Sequence, residues 1–192
     1  FFGRVNYNYK DRYLLEFNLR RDESSRIPKK NRVGYFPSVS VGWNIAQEAF
    51  MEKYNFISQL KLRASWGELG NQEIGYYPFA QYIGLGNNYV WGDNKTQGVA
   101  IYSLANPDIK WETTATTDVG IDAAFLNNKI TLTADYFYKK TSDILLQLPI
   151  PGIVGISTEP YVNAASVKNE GWEFALGYND QWGDWTFGAN VN

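Results

Sequence analysis

The side chains best suited to chemistry in this chain are carboxylates and aromatic rings, because its 192 residues include neither histidine nor cysteine. Without histidine the usual general base near neutral pH is missing, and with it the commonest metal ligand. Without cysteine there is no thiolate nucleophile, no disulfide framework and no thiolate metal site. Asp118, Asp122 and Asp135 remain as carboxylates that can pair as acid and base. All three lie on the polar side of alternating segments, where contact with water accounts for them without catalysis. No phosphate-cradling glycine loop accompanies them. The residues therefore assign no catalytic group, no metal and no cofactor.

A second set is better placed for binding. Tyr76, Tyr77, Tyr89, Trp91, Asp93 and Asn94 fall within residues 68–110, a stretch of about 40 residues without strong periodicity, longer than compact domains usually carry unless the loop is functional or disordered. Sugars are held by stacking on rings and by hydrogen bonds from Asn and Asp, so these six residues are ligand-binding candidates for a glycan. The same rings can equally pack the loop against itself. Both roles stay open on sequence alone.

The elements that position these residues alternate with a period of two. In residues 32–45, Val33, Tyr35, Pro37, Val39, Val41, Trp43 and Ile45 form an apolar face opposite Arg32, Gly34, Phe36, Ser38, Ser40, Gly42 and Asn44. Similar alternation marks residues 1–9, 13–21, 59–67, 111–125, 130–142, 166–178 and 184–192, which predicts an all-β antiparallel up-and-down meander of about eight strands. Glu16, Lys61, Arg63, Asp118, Asp122, Asp135 and Glu173 all fall opposite the apolar positions. Short or moderate connections near 10–12, 46–58, 126–129 and 179–183 alternate with longer polar ones near 22–31, 68–110 and 143–165. That sorting suits a membrane barrel, whose turns are short on one side and long on the other.

Composition narrows the classes. The formal net charge of -2 gives no footprint for nucleic acid. No run of about 18 apolar residues exists, which excludes a membrane helix but not a barrel. Aromatic residues reach 17%, with 14 Tyr, 11 Phe and 7 Trp, high for an ordinary globular domain and common where rings sit at a membrane interface or stack on ligands. The residues leave three architectures: a segment of a large membrane barrel, a soluble carbohydrate-binding β-sandwich, or a complete eight-stranded outer-membrane barrel.

Several motifs then resemble the SusC/RagA family of TonB-dependent outer-membrane transporters, in the C-terminal part of its barrel. They are GRVNYNYKDRYLLE at 3–16, RDESSR at 21–26, YFPSVSVGW at 35–43, LKLRASWGELGNQEI at 60–74, NPDIKWE at 106–112, DYFYKKTSDILL at 135–146 and NEGWEF at 169–174. They span nearly the whole chain in family order. The resemblance implies a segment of a much larger transmembrane β-barrel in the bacterial outer membrane, with residues 1–192 as a partial barrel domain lacking the plug and the remaining strands. It implies import of oligosaccharides or peptides, energised by the TonB complex and covered by a SusD-like lipoprotein lid.

Local expectations follow. Tyr35 and Trp43 should mark the two aromatic girdles, Tyr35 near the long loops. Pro37 has no N–H and should mark a bulge in the upper wall. The segment GELGNQE, 67–73, should turn tightly at the rim, and Asn44 with Gln47 should cap a helical turn in the connector. Both chain ends already read as strands, so the sequence is expected to continue beyond each.

Overall fold

The structure, a computed structural model, describes residues 1–156 and 158–192. Eight long strands form one antiparallel sheet. They are β1 Phe2–Tyr9, β2 Tyr13–Glu23, β3 Val33–Asn44, β4 Ile57–Asn71, β9 Glu112–Phe125, β10 Ile130–Gln147, β11 Tyr161–Trp182 and β12 Trp185–Val191. Four short strands, β5 Ile83–Leu85, β6 Tyr89–Trp91, β7 Asn94–Thr96 and β8 Val99–Ile101, make two small hairpins inside the longest loop. The large sheet runs β1-β2-β3-β4-β9-β10-β11-β12, with each strand beside its chain neighbour. This is the expected meander. Its order begins at β1 and ends at β12 without joining them, and among the described residues no second large sheet faces it, so these residues form neither a closed eight-stranded barrel nor a sandwich.

Alternation puts different chemistry on the two faces. Val5, Tyr7, Leu15, Phe17, Val41, Val119, Trp172, Phe174, Leu176 and Phe187 stand exposed along one side. Val41 is 48% exposed, so this side is not the interior of a soluble core. A contiguous apolar surface of this extent needs another apolar phase or a partner against it.

At the short-turn rim the rings form a band. Tyr9 stacks on Tyr13 at 6.5 Å between centroids, and Tyr13 stacks on Trp43 at 6.4 Å. Phe56 stacks on Phe125 at 6.4 Å farther along. Trp43 therefore belongs to an aromatic girdle on this rim, while exposed Tyr35, opposite Arg21, lies toward the long loops as expected. Glu48 joins the band to its connector: its Oε1 accepts hydrogen bonds from the Tyr13 hydroxyl at 2.8 Å and Trp43 Nε1 at 3.0 Å. Its Oε2 lies 3.3 Å from Arg12 Nη1.

Four local expectations change. The connector holds two short 3₁₀ turns, Ile45–Gln47 and Ala49–Met51, and Asn44 makes no side-chain cap; its amide donates instead to the Asp11 carbonyl. Pro37 makes no bulge: it stays in register opposite Leu19, and the ladder from β3 to β4 simply stops beside it, at Ser38 opposite Gly67. Ending the ladder there leaves no missing donor to accommodate. Residues 67–71 do not turn; Gly67 through Asn71 continue β4 opposite Thr116 through Glu112. Finally, β10 and β11 extend to Gln147 and from Tyr161, with register shifts around Thr141 and Ile144 rather than a break, and β11 runs on to Trp182 before a two-residue turn.

Where β3 and β4 part, a ring fills the gap. Phe36 is buried, meets Trp111 edge-on at 5.4 Å and joins Ile27 and Trp111 in a small core. A Cβ at Gly34 or Gly70 would run into the Phe36 ring, so glycine at both positions makes room for it. The packed core thus sits at the long-loop rim, under the loops.

Candidate functional site

The long loop, residues 72–111, stands on a foot built by the loop after β2. Ser24 and Gln72 share a side-chain hydrogen bond, and Arg26 Nη1 donates to the Ile74 carbonyl at 3.1 Å. On the other side, Asn31 Nδ2 donates to the Ile109 carbonyl at 3.0 Å, and Trp111 Nε1 donates to the Arg32 carbonyl at 3.1 Å. Ile27, Ile74 and Ile109 are buried there. The loop is long in sequence yet anchored at both feet.

Above the foot the six binding candidates separate into two groups. Tyr76 and Tyr77 lie near the base. The Arg26 guanidinium stands 5.1 Å from the Tyr76 ring centre, and Tyr77 meets Phe79 edge-on at 6.1 Å. Tyr89, Trp91, Asp93 and Asn94 gather on the β6–β7 hairpin. Its register pairs Trp91 with Asn94 across the turn, and the Tyr89 and Trp91 rings are 6.2 Å apart with planes tilted by 56°. Gly92 takes the left-handed φ of 61° that this tight reversal needs. Trp91 remains 75% exposed and Tyr89 66%, so this pair of rings is not spent on packing the loop. Among the described residues neither Asp93 nor Asn94 makes a side-chain hydrogen bond. Two adjacent rings beside a free carboxylate and a free amide offer stacking together with hydrogen-bond donors and acceptors.

Two side-chain arrangements were not apparent from sequence. One is Arg26, brought onto Tyr76 from 50 positions upstream by the fold of a separate loop. The other is on the polar face of the sheet, where Asp118, Asp122 and Asp135 do not pair with one another but converge on Arg63. Its Nη1 lies 3.1 Å from Asp118, its Nε 3.1 Å from Asp122 and its Nη2 2.7 Å from Asp135. Arg63 and Asp135 both register opposite Gly120 of β9, and a Cβ there would strike both side chains. The guanidinium occupies the point where the carboxylates meet, so acid-base pairing among them has no room.

The comparisons agree with this architecture. The family model for "TonB dependent receptor-like, beta-barrel" matches residues 1–192. TonB-dependent receptor P3 of Formosa agariphila is 39% identical over 176 residues, covering 91% of this chain and 17% of that protein. TonB-dependent receptor SusC of Bacteroides thetaiotaomicron is 38% identical over 185 residues, covering 92% of this chain and 18% of SusC. The chain therefore spans about a fifth or less of the curated relatives it matches. Among solved structures, the RagAB peptide transporter superposes with a TM-score of 0.85 at 32% identity, over 98% of this chain and 20% of that one. The RagAB peptide importer in its open-open state gives 0.86 at 33% identity. This chain belongs to the TonB-dependent receptor β-barrel family, as a SusC/RagA-like segment of a larger transmembrane barrel.

Proposed function

We propose that residues 1–192 form part of the barrel wall and a substrate-contacting loop of an outer-membrane importer, with the plug and the other strands supplied by the rest of the protein. The apolar face then meets outer-membrane lipid, the polar face lines the lumen, and the long loops stand outside the cell. The role is transport, driven through the TonB complex, rather than catalysis. The substrate class favoured is oligosaccharide. The observation that carries it is the β6–β7 hairpin, where exposed Tyr89 and Trp91 stand beside Asp93 and Asn94, whose side chains make no hydrogen bond among the described residues.

A SusD-like lipoprotein lid fits the same loop. In the β5–β8 hairpin Ile83 pairs with Ile101 and Leu85 with Val99, which aligns four exposed apolar side chains on one face in need of a cover. Peptide import is the second reading, favoured by likeness to structures described as a peptide transporter and importer.

The test is uptake by the full-length transporter carrying Trp91→Ala or Tyr89→Ala, offered a panel of labelled oligosaccharides and peptides. Loss of one stacking ring should weaken oligosaccharide binding by about tenfold, with peptide uptake unchanged. Unaltered oligosaccharide uptake in both variants would refute the glycan reading, and selective loss of peptide uptake would establish the second.

A further inference from the structure

A second enclosure lies between the long loop and the connection from β10 to β11, away from the β6–β7 hairpin. The two segments are tied together: Ser103 and Thr158 form an isolated parallel bridge, the Thr158 amide donates to the Tyr102 carbonyl at 3.2 Å, and Asn106 Nδ2 donates to the Tyr161 carbonyl at 2.8 Å. Between them is a cavity of about 240 Å³ whose lining includes Tyr76, Tyr82, Tyr102, Tyr161, Ser103 and Glu159. That is below the roughly 300–1,000 Å³ of sites for drug-sized ligands. It suits one ring with its substituents, not a chain.

The chemistry of the lining narrows the ring. The Tyr82 hydroxyl is committed to the Tyr76 carbonyl at 2.9 Å and the Tyr102 hydroxyl to Asn87 Oδ1 at 2.9 Å, so these two residues offer the cavity mainly carbon. Against these carbon surfaces stand one buried hydroxyl in need of a partner and one carboxylate at the mouth. Among the described residues Ser103 Oγ is buried without a hydrogen bond, while Glu159 is exposed at the mouth of the cavity, its carboxylate open to water. A buried hydroxyl left unpaired is costly, and a ligand hydroxyl would relieve that cost. A phenol or indole side chain brings one polar atom, which can serve Ser103 but makes no use of the carboxylate at the mouth. A pyranose brings several hydroxyls around an apolar ring. Tyr82 and Tyr102 are also half exposed, so the ligand's outer hydroxyls stay in water.

We infer that this loop-to-loop cavity is a subsite for a single hexopyranose unit, stacked among the tyrosines and hydrogen-bonded to Ser103 and Glu159. The inference rests on the oligosaccharide reading above and adds a subsite separate from the Trp91 hairpin.

The experiment uses saturation-transfer NMR on the full-length transporter in detergent, with methyl glucoside, methyl galactoside and methyl mannoside as probes and N-acetyltyrosinamide as the aromatic competitor. Ser103→Ala removes only the hydroxyl, Glu159→Gln keeps the size of the native side chain, and both lie in a loop, so they test the cavity without unfolding the wall. At least one methyl hexoside should show transfer to its ring C–H protons, weakened about tenfold in affinity by either substitution and unaffected by Trp91→Ala. A hexoside signal that depends on Trp91 but ignores Ser103 and Glu159 would overturn the subsite while leaving the oligosaccharide reading intact. No hexoside signal anywhere would remove both. Binding of N-acetyltyrosinamide alone, sensitive to Ser103→Ala, would overturn the sugar assignment in favour of an aromatic side chain.

Discussion

Arg63 and Asp135 meet over a glycine: the guanidinium of β4 and the carboxylate of β10 close to 2.7 Å across Gly120 of β9, the residue that registers opposite both. The intervening strand has to present no side chain at that point for a pair two strands apart to touch. One positive group then serves Asp118, Asp122 and Asp135 together, and removing it would leave three carboxylates close to one another on the polar face.

Gly120→Ala should therefore destabilise far more than an ordinary glycine substitution in a strand, because its Cβ would displace both partners. The expected loss is about 2–4 kcal/mol, the range for breaking a partly buried charge pair. Thermal melting of the full-length protein in detergent checks it. Gly3→Ala, with open space at its Cβ, is the control and should leave the melting temperature unchanged.

Phe36→Ala should open the wedge between β3 and β4 at the long-loop rim, at a cost of about 3–5 kcal/mol for a buried aromatic. Gly70→Ala attacks the same contact from the opposite strand, since its Cβ would fall on the Phe36 ring. The double variant should cost less than the sum of the two single ones, because Phe36→Ala removes the obstruction. Additive losses would show that Gly70 is not there for the ring.

The apolar face gives a third expectation. Val119 stands exposed near the middle of β9, while Asp118 beside it points to the polar face. Val119→Arg should cost about 2–4 kcal/mol if that face meets lipid at mid-depth, seen as reduced assembly into outer membranes. Equal assembly of Val119→Arg and wild type would argue against lipid on this face.

Glu48 gives a pH dependence. Hydrogen bonds from Tyr13 and Trp43, with Arg12 nearby, hold its carboxyl below the usual carboxylate value. A carboxyl lowered in the folded state stabilises above its unfolded pKa, and that contribution is lost as pH falls through the lowered value. The stability gap between wild type and Glu48→Gln should be constant near neutrality and shrink below the ordinary carboxylate range. Tryptophan fluorescence during melts at a series of acid pH values measures it, and a gap that persists at the acid end would exclude Glu48 as the group responsible.

The strand wall was legible because two different environments write a period of two into the sequence, as Val119 and Asp118 show. The signal fades where strands extend past the apolar phase, since both faces then meet water. Residues 143–147 of β10 and 161–165 of β11 were missed for that reason, and Gly67 to Asn71 passed for a turn because glycines that admit the Phe36 ring resemble glycines that reverse a chain. The carboxylates were assigned to the correct face, but their convergence on Arg63 depends on the register of β4 against β9 and β10. Register between strands 72 positions apart leaves no local trace. In the loop, the chemical types of Tyr89 and Trp91 were visible, whereas the two nested hairpins that separate them from Tyr76 and Tyr77 were not.

The parting of β3 from β4 has a mechanical meaning. Between these strands the ladder covers only Ser38–Asn44, while β4 stays bonded to β9 through Asn71 and β3 stays bonded to β2 through Val33. The panel is thus two stiff leaves joined along a short seam, with a single aromatic plug keeping its upper end shut. Curvature of the wall will change most easily along that line, and amide exchange should be fastest on the strand edges that flank Phe36.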